Sequence, residues 1–394
     1  MRAAEGCKLF GAYSAAAGVR DGVILLHSVV GCNFGTMSFQ VFQDMTDIRQ
    51  ACTVISDDEV IMGGENSVLR ALKLLEKDGS PEIIFVITGC VSGMIGDDIA
   101  SVCRNYQGKC PVVYVPAPGF CGGISEGIRE VYRALFQRME MKAGKAEHPT
   151  VNILGPRRGD YRIRQDKRMF ELLLGDQVKI GLFTADCTFG EIQKAPQAAL
   201  NLVIGEGEEL ARDMEEKFGI PYACLDYPYG LTGAKKLWSV LERVFPVSYE
   251  EKRSALEKEI VEGLKKVHPY LQALYGSSAA VIAEHSRSEG LRRFLEEELG
   301  MDVVVCAARG DTADLSEVYD EIRGKEAAML FGSSFEADLA AELSIPLIRI
   351  DYPVFDEICI SNRPTIGGEG TLCMVEDMIC QTMRARYRKG PLCQ

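Results

Sequence analysis

Ten short aliphatic or β-branched runs, most of them followed by a small or polar residue and then by a longer amphipathic segment, recur along the 394-residue chain. Strands that end in Gly, Ser, Thr or Asp and hand over to a helix are the repeating unit of a parallel α/β layer. Parallel neighbours need a crossover, and the crossover helix buries its apolar face on the sheet. The runs predict strands at 22–30, 82–88, 111–115, 151–154, 178–183, 199–204, 279–283, 302–306, 327–331 and 346–350. In GSSFEADLAAELSIPLIRI, for example, Gly332-Ser333-Ser334 opens a helix that stops ahead of the next strand. Ligands of such layers bind at the loops beyond the carboxyl ends of the strands.

At about 150 residues per domain the length allows two or three domains. A charged stretch from Arg138 to Pro149 and a charged helical pattern from Tyr249 to Lys266 mark the breaks. The expected division is 1–148, 149–270 and 271–360, with a C-terminal segment, 361–394, packing back on an earlier domain. Three similar α/β units point to an old structural repetition.

Charge narrows the partners. The chain carries 44 Lys+Arg against 57 Asp+Glu, a net charge of −13, and no basic run longer than Pro156-Arg157-Arg158. A nucleic-acid groove needs clustered cations to displace counterions, so no nucleic-acid partner is expected. The segment MRAAEGCKLFGAY lacks the apolar core of a signal peptide, and the longest uncharged stretch, Gly22 to Gln43, is broken by His27, Asn33, Gln40 and several Gly. A soluble, cytoplasmic protein without a membrane partner is expected. GLTGAKK fails the spacing of a phosphate-binding loop, and no G-x-G-x-x-G opens after the first strand of any domain. ATP hydrolysis and nicotinamide chemistry are therefore not expected of this chain, and its electrons should come from a protein.

Fourteen cysteines are many for a chain of this kind. In a reducing compartment they are free thiols or metal ligands rather than a disulfide framework. None has C-x-x-C spacing, so a metal site must be assembled from distant segments. Cys7 precedes a small-residue helix, Cys32 follows the strand that carries His27, and Cys90 ends a strand ahead of Gly96-Asp97-Asp98. Free Cys also packs well as a small hydrophobe, and that reading competes for each one taken singly. Together, three strand-end or Gly-flanked thiols suit iron and sulfur.

Those segments, CKLFGAYSAAAGVRDGVILLHSVVGCNFG and IIFVITGCVSGMIGDDIASV, resemble nitrogenase component 1 and its relatives. The family includes reductases, a cyclase and cofactor-assembly scaffolds. PAPGFCGG, VNILG, FGIPYACLDYPYGLTGAKKLW, SIPLIRIDYPVFDEI and RPTIGGEGTLCMVEDM continue the resemblance in order along nearly the whole chain. It implies an α/β fold of three Rossmann-like domains with parallel sheets around a central cleft. By resemblance Cys7, Cys32 and Cys90 match the thiolates that each subunit gives to an iron-sulfur cluster, [4Fe-4S] or larger, at a subunit interface. Three thiolates leave a cube incomplete, which implies a dimer with a second component-1 chain, identical or alpha-like. Electrons would come from a separate ATP-dependent iron-sulfur reductase.

Departures matter equally. Gly205 in ALNLVIGEGEE stands where the thiolate of the molybdenum-iron cofactor would be, and no His follows His285, so that cofactor is not expected here. Cys187, Cys224 and Cys306 are expected to pack rather than ligate. Gly119 occupies the place of a serine ligand found in some beta-type subunits. His27 reads as a hydrogen-bonded core residue, Asp97 and Asp98 as helix-start residues, and Ser92 as a donor near the cluster. His285, after a third-domain strand, is a weak candidate for substrate contact or proton delivery. Three functions stay open: a nitrogenase-like reductase of unidentified substrate, a non-catalytic scaffold or carrier for metal-cofactor assembly, and a metal-free binding protein.

Overall fold

The structure, a computed structural model, describes residues 6–42, 47–77, 79, 81–140, 144, 146–310 and 315–388. Cys393 lies outside them. Two compact units divide the chain: residues 4–159 with 180–222, and residues 1–3, 160–179 and 223–394.

The first unit begins with α1 (Lys8–Ala16), β1 (Gly22–Ser28), α2 (Val30–Phe42), β2 (Gln50–Val54), α3 (Asp57–Met62) and α4 (Glu65–Lys77). β3 (Ile83–Thr88), α5 (Cys90–Ile95), α6 (Ile99–Asn105), β4 (Val112–Pro116) and α7 (Ile124–Phe136) complete its first layer. The strands form a parallel sheet in the order β2-β1-β3-β4. Every residue of β1 and β3 is buried, as expected of central strands covered on both faces; the runs are apolar except for His27, Ser28 and Thr88 at their carboxyl ends. Small residues let α1 sink into this layer: a Cβ on Gly11 would stand 1.9 Å from the Ile124 carbonyl oxygen, and one on Gly127 2.0 Å from that of Lys8. Lys8, buried at the start of α1, is paired with Glu130 at 3.2 Å.

A second sheet, most of it in the same unit, has the order β6-β5-β7-β8. It contains β5 (Thr150–Leu154), α8 (Ile163–Leu174), β6 (Lys179–Phe183), α9 (Phe189–Lys194), β7 (Leu200–Val203), α10 (Glu208–Phe218) and β8 (Tyr222–Cys224) along the chain. After α11 (Gly230–Val244), α12 (Glu250–Lys265) and α13 (His268–Leu271), the other unit builds its sheet in the order β10-β9-β11-β12. Its elements are β9 (Ser278–Ala283), α14 (His285–Arg293), β10 (Asp302–Ala308), α15 (Leu315–Gly324), β11 (Met329–Gly332), α16 (Ala337–Leu343), β12 (Leu347–Arg349) and α17 (Gly367–Arg388).

All ten predicted strands are present, and the three sheets share one order: second, first, third, fourth. Two strands escaped the sequence reading. β2 is a half-buried edge strand containing Gln50 and Thr53, and β8 is an edge strand of three residues. The Gly-rich stretch Gly367-Gly368-Glu369-Gly370 opens α17 rather than forming a loop. Close packing explains it, since a Cβ on Gly370 would stand 2.5 Å from the Thr365 carbonyl carbon.

Candidate metal-cluster site

In a sheet of order 2-1-3-4 the chain winds in opposite directions from the first and third strands, and the crevice beyond their carboxyl ends is the usual ligand site. In the first sheet those strands are β1 and β3. Cys32 lies in the first turn of α2, just past β1, and Cys90 is the first residue of α5, just past β3. Cys7 reaches the same place from α1, whose N-cap it forms, through a bridge to Gly123.

Gly119 brings two of these thiols together. Its N–H donates to Cys90 Sγ at 3.1 Å, and a Cβ on it would stand 3.2 Å from Cys7 Sγ and 3.4 Å from Cys90 Sγ. That Cβ would also lie 3.0 Å from Cys7 Cβ, so a serine here would press on Cys7. α2 joins through Gly35, packed on Phe10 of α1 with 3.0 Å between its would-be Cβ and the ring. Cys7, Cys32 and Cys90 are all half-buried free thiols. Among the described residues no three His, Cys, Asp or Glu close around a single ion. A cluster asks something else, because its thiolates bind separate irons.

The surroundings fit such a group. α1 and α2 present the positive ends of their dipoles where Cys7 and Cys32 sit, a local field suited to a negatively charged group. At the end of β1, Ser28 Oγ is fully buried without a hydrogen-bond partner, 2.2 Å from where a Gly89 Cβ would be. A buried orphan hydroxyl beside Cys90 marks a place that expects a polar companion. The elements around the thiols also expose apolar side chains: Val30, Phe34 and Met37 on one stripe of α2, Ile61 and Met62 on α3, Met94 on α5, and Phe120 beside Gly119. Phe34, Ile61, Met62 and Met94 are each more than 70% exposed.

The other thiols differ. Burial pushes Cys306 up to about 11 and Cys187 higher still, so both are held as neutral thiols. Cys224 is exposed at the end of β8. Gly205, just past β7, has φ +93°, and Gly155, past β5, has φ +109° with its would-be Cβ 2.4 Å from the Ile204 carbonyl oxygen. Backbone fills this second switch point. His285 is exposed at the first position of α14, in the switch-point position of the third sheet. His27 is fully buried and hydrogen-bonded to Asp97 and Thr53, which the sequence reading named only in part. Asp98 caps α6 by accepting from Ser101 N–H, and Ser92 is buried in α5. The Gly119 contact and the apolar rim were not foreseen, because neither leaves a local signal in the sequence.

The fold is thus a doubly wound α/β chain with three thiols gathered about the switch point of its first sheet. Residues 7–383 match the nitrogenase component 1 type oxidoreductases, and the chain belongs to that family. It is 27% identical over 432 residues to the nitrogenase molybdenum-iron protein alpha chain of Methanothermobacter marburgensis, covering 95% of this chain and 86% of that one. To the nitrogenase iron-molybdenum cofactor biosynthesis protein NifE of Clostridium pasteurianum it is 27% identical over 329 residues, 77% of this chain and 68% of the other. The nitrogenase molybdenum-iron protein beta chain of Methanococcus maripaludis is 23% identical over 97% of this chain and 94% of its own. The solved structure of nitrogenase Cp1 at pH 6.5 shares the fold, with a TM-score of 0.82 at 18% identity over 100% of this chain and 95% of that one. No helix among the described residues is long and apolar enough to cross a membrane.

Proposed function

We propose that the chain is the iron-sulfur subunit of a nitrogenase-like reductase, with Cys7, Cys32 and Cys90 holding a cluster where a second component-1 chain docks. The observation that carries this reading is the meeting of the Cys7 and Cys90 thiols at Gly119, on the switch point that Cys32 also flanks. An iron-sulfur cluster held there would supply one-electron transfer at low potential. The chain's part is to hold the three thiolates, to give Cys90 the Gly119 hydrogen bond, and to bury the group under a partner. The exposed apolar side chains on α2, α3 and α5 are what such a partner would cover. Electrons come from a separate ATP-dependent iron-sulfur reductase, and dinitrogen is not reduced by this chain alone.

Each of Cys7, Cys32 and Cys90 is replaced by Ala, and iron, acid-labile sulfide and visible absorbance are measured after anaerobic preparation. Most of the iron should be lost from each variant and retained in Cys103→Ala and Cys380→Ala. Full iron in all three variants overturns the ligand assignment, and a monomer that keeps full iron overturns the shared interface.

A second reading, an assembly scaffold, is favoured by the backbone that fills the switch point at Gly155 and Gly205 and by the likeness to NifE. Turnover separates the two. A reductase consumes electrons from its partner with MgATP and reduces an acceptor, whereas a scaffold binds and releases cargo without net reduction.

A further inference from the structure

Helix α5, which Cys90 opens, has six residues, far too few to hold itself by its own hydrogen bonds. Its two ends are held by one residue. The His27 main-chain oxygen accepts the Gly89 N–H at 3.0 Å, immediately before Cys90. The His27 ring reaches the far end, where Nε2 lies 3.0 Å from Oδ2 of Asp97, just past the left-handed Gly96 that terminates α5. Both side chains are out of water, the ring 0% and the Asp97 side chain 2% exposed.

The remaining polar atoms of this pair are used too. Nδ1 lies 2.7 Å from Thr53 Oγ1 on β2, and Asp97 Oδ1 accepts the Gly64 N–H at 3.2 Å from the turn between α3 and α4. A carboxylate only accepts, so Nε2–H donates to Asp97, while Nδ1 and the Thr53 hydroxyl, which also lies 3.4 Å from the Leu26 carbonyl, share the other hydrogen bond. Gly64 is bare because the ring occupies its side-chain space: a Cβ there would stand 2.4 Å from Cε1 and 2.5 Å from Nε2. Three segments, β2, the turn between α3 and α4 and the stretch past α5, thus converge on one imidazole.

We infer that His27 is a positioning residue for the Cys90 thiol, clamping both ends of α5 through the Gly89 N–H and Asp97. The inference deepens the proposed function, but its first test needs only the chain without metal. Cys90 is alkylated with iodoacetamide in the apo protein, the rate is read by mass spectrometry against exposed Cys380, and hydrogen exchange is followed over 89–96. His27→Leu, which fills space without hydrogen bonds, should speed Cys90 alkylation about tenfold, the scale of one lost buried hydrogen bond. His27→Gln, whose amide still donates to Asp97, should stay within about twofold of native. Should His27→Leu fail to fold, Asp97→Asn replaces it, and Cys90 should again react faster.

Equal rates in the Leu and Gln variants, or a Cys90 rate in Asp97→Asn no faster than native, would overturn the clamp. In reconstituted protein the Leu variant should also shift the midpoint potential of the cluster, with the Gln variant restoring it. Faster alkylation with an unmoved potential upholds the clamp and overturns Cys90 as a ligand, so the two ideas fail separately.

Discussion

Asp166, in the unit of residues 160–179 and 223–394, and the Cys90 region, in the other unit, both put polar groups inside the protein, and they finish the job differently. Asp166 is fully buried and accepts from Thr365 N–H and Thr365 Oγ1, both at 2.6 Å, and from Tyr227 Oη at 2.5 Å. Arg287, 2% exposed, donates to Tyr229 Oη and to the Ile350 and Tyr161 carbonyls, and lies 3.9 Å from the centre of the Tyr227 ring. That group closes on itself. Around Cys90 the Ser28 hydroxyl has no partner, the thiols are half-buried, and large apolar side chains face out. A satisfied buried network stabilises its own unit, whereas an unfinished one with an apolar rim waits for something from outside.

Breaking the closed network should have the largest effect. Asp166→Ala strands the Thr365 and Tyr227 donors and takes from Arg287 one of its two nearby carboxylates, Asp160 being the other, and should cost about 3–5 kcal/mol of stability in denaturant unfolding. A loss under about 1 kcal/mol would erase the contrast between the two regions. Gly119→Ser acts on the open region. Its Cβ would crowd Cys7, so we expect a cost of about 1–2 kcal/mol from overpacking, together with reduced iron retention. Iron content at the native level in this variant would show that the 119–121 turn yields freely.

The smallest effect concerns acid. Glu59, in α3 on the apolar rim, has its carboxyl held below the usual range, chiefly by the Ser67 hydroxyl and, against some burial, by Ser56, whose N–H it accepts at 2.9 Å. Its folded value lies below the unfolded one near about 4.3, so its stabilisation is complete above that pH and lost as pH falls through the folded value. Exchange within Asp57–Met62, corrected for intrinsic rates, should rise about twofold on acidification from about pH 5 to pH 3, solvent screening keeping it small. Glu59→Gln should abolish that change.

Much of this was legible in the sequence because strands buried on both faces are mostly apolar, which made β1, β3, β5, β7, β9 and β11 plain despite the buried His27, Asn152 and Asn201 among them. Edge strands carry no such demand, and β2 and β8 were missed. The thiols at 7, 32 and 90 could be singled out by their neighbours along the chain. Their meeting at Gly119, the buried Ser28 hydroxyl and the packing of His27 against Gly64 depend on which loops the topology brings together. A glycine needed for its absent side chain looks the same in sequence as one needed for a turn.

Gly205 limits what the loop past β7 can be made to carry. Its φ of +93° belongs to a conformation that costs a side-chain-bearing residue about 1–2 kcal/mol, and its N–H-linked neighbour Gly207 packs its would-be Cβ 2.8 Å from the Leu154 carbonyl carbon. A cysteine introduced at 205 would therefore bring a sulfur atom only at the cost of a strained main chain. Relieving that strain asks for coordinated changes across 155 and 205–207 rather than for one substitution. The turn, more than the side chain, decides what this loop can carry.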